Sequence, residues 1–398
     1  MDKKQKAVLA VTVVVVALGI TYFTVGRDAF RKSRVERIRM ENDAAQNVPS
    51  QSLNEGNVSP ISGLACDNWN RRAIAFMQPV DKQARPVAGF SQADMVFEMP
   101  NPAEGIFTTR LLGVYLCEVP TEVGALRSAR HDYISIAKSF DAVFVGWGGS
   151  AFAIKKLNDG VVDNIDCNGQ GGAKRPDCCF RKDRTGAMRV EDTGFAKGTD
   201  ILACAKELGY RSEGTFAGYP HRAETVEGDR PTGGHLEVGY PGIMKAEYDY
   251  DRASNSYLRT WGGEPDTDRN NGVRIAPKNI VVMTAENEQI LAETDYTGRG
   301  VSDPWEGLEH EKTGTGNISG RYNNLQMGDP WFDTQDSGSA RYFMDGKEFR
   351  GTWKKSRTNA DSKLFFYNES GKEIEFVPGQ IWVDVVIPAQ KVEWTPSA

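Results

Sequence analysis

The sequence predicts an α+β protein: an N-terminal membrane helix, then a layered α/β domain, followed by a β-rich domain. Three observations carry that expectation. Residues 7–26, AVLAVTVVVVALGITYFTVG, run without a charge for a length that crosses a bilayer as a helix. From about residue 60 to 210, strand-like apolar runs alternate with runs at helical spacing. After residue 211, short alternating segments flank turn signals such as Asp345-Gly346.

The apolar run exceeds a typical signal-peptide core, and no convincing small-x-small cleavage site follows it. No lipid-attachment cysteine closes it, since the first cysteine is Cys66. Residues 1–26 therefore read as a cytoplasmic tail and transmembrane helix, with the membrane as a partner through residues 7–26. Lys3, Lys4 and Lys6 precede the span, and Arg27, Arg31, Lys32, Arg34, Arg37 and Arg39 follow it. A strict positive-inside count would place the following side in the cytoplasm. The same six charges equally suit a short basic helix against anionic headgroups, so charge alone leaves the topology open. Residues 27–59 form a basic juxtamembrane stalk and flexible linker, because 41–60 nearly lacks large apolar side chains.

Charge divides along the same line. Residues 1–40 carry nine Lys/Arg against three Asp/Glu, and the remainder carries 39 against 51. An acidic body on a basic stalk, without a long basic stripe, excludes nucleic acid as a partner. The composition (39% hydrophobic, 10% aromatic, 26% charged) excludes a collagenous or broadly disordered chain. The six cysteines, 66, 117, 167, 178, 179 and 204, are an even number compatible with disulfides outside the cytoplasm. A bridge from Cys167 to the vicinal Cys178-Cys179 pair would close the loop CNGQGGAKRPDCC. No nearby histidine completes a zinc site there, and neither a metal nor a cofactor is expected.

In residues 60–210, the α/β domain, AIAFM (73–77), DMVFEM (94–99), RLLGVYLCEV (110–119) and AVFVGW (142–147) read as strands. Residues 129–140 and 151–157 read as helices, and 199–210 as a third that stops near Gly209. In residues 211–398, the β-rich domain, hairpins are expected over 246–261, 342–349 and 364–376, with a long loop near 295–338.

The segment VGALRSARHDY (123–133) sets Arg127 and Arg130 at the predicted start of a helix, where like charges oppose the dipole. With Ser128 as N-cap and Ala129 opening the helix, the backbone and both guanidiniums would bind an anion. The competing reading is an internal ion-pair network with Glu98, Glu104 or Asp94. A second constellation, GWGGSAF (146–152), runs a strand through Gly148-Gly149 to Ser150, a cap for the next helix. It is not a phosphate-binding P-loop, because no Lys-Ser/Thr follows at the required spacing. His131 beside the arginines reads as a packed or exposed side chain rather than a general base. No GxSxG, HExxH or Cys/His arrangement appears.

SQADMVFE (91–98), GALRSARHDYISIAKSFDAVFVGWGGS (124–150) and AKELGY (205–210) resemble the first half of the YerB-like family. YLRTWGGEPDTDRNNGVRIAPKNIVVM (257–283), FRGTWKKSR (349–357) and GKEIEFVPGQIWVDVV (371–386) resemble the second. The resemblance spans about residues 60–388 and implies two successive domains of unknown function in a bacterial envelope lipoprotein or anchored protein. It implies signature roles for Glu98, Arg110, Arg127, Ser128, Arg130, Gly148 and Gly149. Where the family pattern carries polar pairs, this chain has Pro79-Val80 and Thr193-Gly194, and a membrane span stands in place of a lipidated cysteine. An extracytoplasmic family places the soluble part outside the cell membrane.

The expected function is a membrane-anchored extracytoplasmic protein that binds an anionic or acidic envelope ligand or partner. The expected ligand-binding residues are Arg127, Ser128, Arg130, Glu98, Arg110, Gly148, Gly149 and Ser150. The alternatives are an envelope-polymer hydrolase or transferase using Glu98 or Glu104, and a structural or assembly component of an envelope complex.

Overall fold

Alternation along the apolar runs produces strands with both faces buried. In Ile74–Pro79 (β1), Ile74 and Phe76 enter one core while Ala75 and Met77 enter another. A computed structural model describes residues 57–101, 107–291, 309–312, 323–331 and 333–397, all within the unit formed by Ser52–Ala398. The transmembrane reading of residues 7–26 and most of the linker lie outside the described residues. Among those described, no helix is long and apolar enough to cross a membrane.

Ten strands form the main sheet. After β1 they are Met95–Pro100 (β2), Thr109–Tyr115 (β3), Val143–Gly146 (β4), Asn164–Asp166 (β5), Asn279–Thr284 (β6), Ser337–Met344 (β7), Lys347–Lys354 (β8), Phe365–Asn368 (β9) and Ile381–Val386 (β10). Their order is β9-β8-β7-β6-β10-β2-β3-β1-β4-β5. Strands from before residue 211 occupy one end and strands from after it the other. The seam is the parallel pair β2–β10, with Glu98 opposite Asp384. The β1–β4–β5 strands are also parallel. The β7–β8 hairpin turns at Asp345 and Gly346, both at positive φ (51° and 71°), as the Asp-Gly signal demands.

Helices α1 (His131–Ser139) and α2 (Ala151–Asn158) cover one face of the sheet, with Tyr133, Ile134, Ala137, Ala153 and Leu157 against Met77, Phe97, Leu112 and Phe144. A five-stranded antiparallel sheet, Glu264–Pro265, Ser256–Trp261, Ala246–Asp251, Gly234–Val238 and Val392–Pro396 in spatial order, covers the other. There Leu236, Tyr248, Tyr257 and Trp261 join Phe76, Val96, Leu111 and Trp382. Helix α3 (Gly198–Glu207) adds Ile201 and Cys204 to that core. Within 295–338, Glu309–Lys312 and Asn323–Leu325 pair with Asn287–Leu291, so this stretch contributes strands as well as loop.

All six cysteines are paired: Cys66–Cys117, Cys167–Cys179 and Cys178–Cys204. The expected loop closure from Cys167 is made by Cys179, while its neighbour Cys178 reaches back to α3.

Between the two sheets lies a buried polar network. The Arg259 guanidinium contacts Glu98 through one nitrogen and Asp266 through another, and Asp266 also receives Arg85. Arg259 Nε donates to the Tyr248 hydroxyl (3.2 Å), which donates to Asp384 Oδ2 (2.8 Å). Thr109 Oγ1 donates to Glu98 (2.5 Å). Arg85 lies 3.8 Å from the Trp261 ring centre and Arg259 lies 4.4 Å from that of Trp382. Burial, with Glu98 beside it, pushes the Asp384 carboxyl up to about 8. At neutral pH the Asp384 carboxyl therefore stays largely protonated beside the two guanidiniums.

Two outcomes follow. Arg259→Ala strands Glu98 in the interior, leaves Asp266 with Arg85 alone, and should cost about 3–5 kcal/mol in urea denaturation. Asp384 has a folded-state pKa above its unfolded value, so its contribution is complete below about pH 4 and disappears as pH rises toward 8. Asp384→Asn, which stays neutral, should make the decline in stability between pH 4.5 and 7.5 shallower by up to about 1.4 kcal/mol per pH unit.

Candidate functional site

The parallel strands β1, β4 and β5 all end on the same side of the sheet, the side on which open α/β sheets place ligands. The chain around Arg127 inserts there. Arg127 N donates to Met77 O (2.9 Å), Trp147 N to Arg127 O (3.0 Å), and Ala129 N to Gly148 O (2.7 Å). Ser150 N returns to Ala129 O (3.2 Å), and Ala129 and Gly149 form a parallel bridge. Residues 127–129 are thus extended, and α1 begins at His131 with Arg130 as its N-cap. The expected start at Ala129 with a Ser128 cap is corrected: pairing with the turn after β4 captures those backbone groups first. The same bridge sets the N-termini of α1 and α2 side by side, so the positive ends of both dipoles share one location. Ser150 caps α2 as expected, accepting from Ala153 N (3.4 Å).

Beside this junction is a pocket of about 340 Å³ lined by Arg127, Ser128, Trp147, Gly149, Asn168, Gln170 and Arg181, with Leu126, Val190 and Glu191 completing its rim. Arg127 Nη2 contacts Asp81 Oδ2 (2.9 Å), and its Nε lies 3.7 Å from Asp192 Oδ1. Arg181 stacks 4.4 Å from the Trp147 ring centre and donates to Val190 O (2.6 Å) and Thr193 Oγ1 (3.0 Å). Trp147 Nε1 donates to Asn168 Oδ1 (3.1 Å), and Gly149 N donates to Gln170 Oε1 (3.2 Å). The loop carrying Asn168 and Gln170 is wound around the buried Asp166 carboxylate. It accepts the N–H groups of Gly148 (2.7 Å), Asn168 (2.9 Å), Gln170 (2.5 Å) and Gly171 (2.9 Å). Gly148 has φ +68°, and a Cβ there would fall 2.3 Å from Gln170 Oε1. At Gly194 a Cβ would fall 2.6 Å from the Trp147 ring, so the missing side chain is what lets the tryptophan lie flat.

Of the expected residues, Arg127, Ser128 and Gly149 line the pocket, while Gly148 and Ser150 shape its wall. Arg110 lies behind it, donating to Ser128 O. Burial, with Arg130 and Arg127 close by, holds the Arg110 guanidinium well below its ordinary pKa. Arg130 donates to Ala129 O (2.9 Å) and is not in the lining. Glu98 is not part of this site: its strand register turns it toward the second sheet, to Arg259. Asp94 is spent on Ser59 Oγ, Ser62 Oγ (both 2.7 Å) and Leu116 N (2.8 Å). Glu104 lies outside the described residues. The internal partners of Arg127 are thus Asp81 and Asp192, neither foreseen. Asn168, Gln170 and Arg181 were also missed, because the loop that holds them signals only cysteine and glycine.

A buried cluster lies under the first turn of α1. His131 Nε2 is 3.0 Å from Asn324 Oδ1, and Lys156 contacts Asp329. Asp333 accepts from Met327 N (2.6 Å), Asp329 N (2.7 Å) and Asn324 Nδ2 (3.0 Å). Burial lowers the His131 imidazole to about 3 and, with Asp329 near, raises Asp333 to about 7. His131 is therefore a packed neutral side chain. The only sequence signal for this cluster is the spacing of aspartates in MGDPWFD (327–333).

The fold and pocket define a class: a disulfide-braced α+β protein in which two successive sequence domains share one sheet. Residues 61–211 match a family described as "Protein of unknown function (DUF3048) N-terminal domain", and residues 236–383 match its C-terminal counterpart. "Putative lipoprotein YerB" of Bacillus subtilis is 25% identical over 332 residues, covering 82% of this chain and 86% of that one. The crystal structure of the B. subtilis YerB protein superposes with a TM-score of 0.63 at 23% identity, covering 84% of this chain and 99% of that chain. The chain belongs to the YerB-like family, with its two domains of unknown function.

Removing the Asp166 carboxylate leaves four N–H groups without their acceptor. Asp166→Ala should destabilise the fold by about 2–4 kcal/mol, and hydrogen exchange should accelerate first at residues 168–171.

Proposed function

We propose that this is a membrane-anchored protein of the bacterial envelope, its folded part outside the cytoplasm, whose pocket at Arg127 and Arg181 holds an anionic group of an envelope ligand or partner. The carrying observation is that two guanidiniums from separate segments, Arg127 and Arg181, line one pocket beside the bridge that joins residues 129 and 149, each just ahead of a helix. Position supports the reading, since the pocket lies beyond the carboxyl ends of parallel strands. Three disulfides suit an oxidising compartment, and the B. subtilis relative carries the description "Putative lipoprotein YerB". The hydrolase alternative loses its first candidate acid, because Glu98 is enclosed and paired with Arg259.

The test is calorimetric titration of the full-length protein in detergent micelles with short poly(glycerol phosphate), and separately with a muramyl peptide as a carboxylate probe. Arg181→Ala, an exposed position, and Arg127→Lys, which keeps the charge but loses the fork, should each weaken binding of at least one probe about 10- to 100-fold. Arg350→Ala, remote from the pocket, should not. Binding indifferent to both pocket variants would refute the site.

A further inference from the structure

The outer face of the five-stranded sheet carries a constellation that the pocket does not use. Glu247, Glu237 and Glu393 stand at one register on three adjacent strands, and the next row holds Asp249, His235 and Thr395. Like charges directly opposite one another weaken a ladder, so this arrangement calls for a cation. Lys245 Nζ now sits 2.7 Å from Glu237 Oε2 and 3.0 Å from Glu247 Oε1.

The histidine separates this place from an ordinary acidic patch. His235 Nδ1 is 2.7 Å from Asp249 Oδ1 and, with its proton there, leaves the Nε2 lone pair toward Glu247 Oε1 at 3.7 Å. A carboxylate behind one ring nitrogen and an open lone pair on the other is how ligating histidines are commonly oriented. One ligand atom each from His235, Glu237 and Glu247 lies within 4.8 Å of the others. Ligands about 2.0–2.1 Å from a shared zinc ion stand roughly 3.3 Å apart, so small rotamer adjustments close the set.

We propose that His235, Glu237 and Glu247 form a site for a divalent transition-metal ion of the zinc class, with Lys245 as its displaceable stand-in and Asp249 orienting the imidazole. The side chain of Lys245 is 36% exposed and can withdraw to solvent. No sequence motif announces the site, because the ligands come from two strands brought into register by the sheet. It lies on a different sheet from the Arg127 pocket and stands or falls without it.

The experiment titrates ZnCl₂ into metal-stripped full-length protein in detergent micelles, read by calorimetry and by the thermal midpoint. One site is expected in the unsubstituted chain. His235→Ala and Glu247→Gln, both on a solvent-facing surface, should each weaken it at least tenfold. Lys245→Met should tighten it about tenfold and enlarge the zinc-dependent rise in midpoint, and millimolar Ca²⁺ should not compete. Three results would overturn the assignment: zinc affinity indifferent to His235→Ala, Lys245→Met binding no better than the parent, or Ca²⁺ displacing zinc as at a simple acidic patch.

Discussion

Arg259 is the point on which the two halves of this chain are fastened together. Its guanidinium is fully enclosed and reaches Glu98 on β2, Asp266 beyond its own strand and, through Tyr248, Asp384 on β10. These groups come from both sequence domains and from both sheets. A buried ion pair adds little net stability over a well-packed apolar substitute, because desolvation consumes most of the Coulombic gain. What it imposes is penalty for error: a β2–β10 register slipped by one residue would turn Glu98 to the opposite face, into the apolar core under α1. The tryptophans at 382 and 261, each under a guanidinium, and the Tyr240 hydroxyl, bonded to Glu98 O and Val385 O, fill the same seam.

The pocket inherits its geometry from that seam through β3 and β1. With β2 fixed, β3 and β1 follow by antiparallel pairing and β4 and β5 by parallel pairing, so the strand ends that bear Asp81, Trp147 and Asn168 come into register without further instruction. The remaining wall is stapled rather than paired. Asn168 follows Cys167 directly, Arg181 follows Cys179 by two residues, and the vicinal cysteines pull in opposite directions, to Cys167 and to α3. A segment with so little regular structure gains its definition from those bridges and from Asp166, because few apolar contacts are available to supply it.

What was legible in the sequence was local. The helices over 129–140 and 151–157 and the hairpin over 246–261 formed within one or two residues of expectation, and the hairpin expected over 342–349 turns at Asp345-Gly346 as read but extends five residues further at each end, since periodicity and Asp-Gly chemistry act at short range. The meeting of Arg127 with Gly149 was foreseeable as a possibility because both precede helices. Partner choice was not. Glu98 and Asp94 share a strand neighbourhood with Arg110, yet one faces Arg259 and the other caps residues 59–62, and only the three-dimensional pairing decides this. The start of α1 slipped from 129 to 131 for the same reason, a tertiary backbone bond having outcompeted a local cap.

The two arginines of the pocket are not equivalent, and the difference shapes what the site can recognise. Arg127 already has carboxylates at 2.9 Å and 3.7 Å, so an incoming anion must share that guanidinium with Asp81. Because Asp81 is partly exposed, its pairing is weakened by solvent and surrendering part of it costs little. Arg181 is held instead by a neutral carbonyl, a neutral hydroxyl and an aromatic face, so its charge is oriented without being cancelled. On these contacts Arg181 supplies the uncompensated attraction and Arg127 supplies geometry. A ligand reaching only Arg127 would exchange one carboxylate for another with little gain, whereas one spanning both would gain a fork as well as a charge.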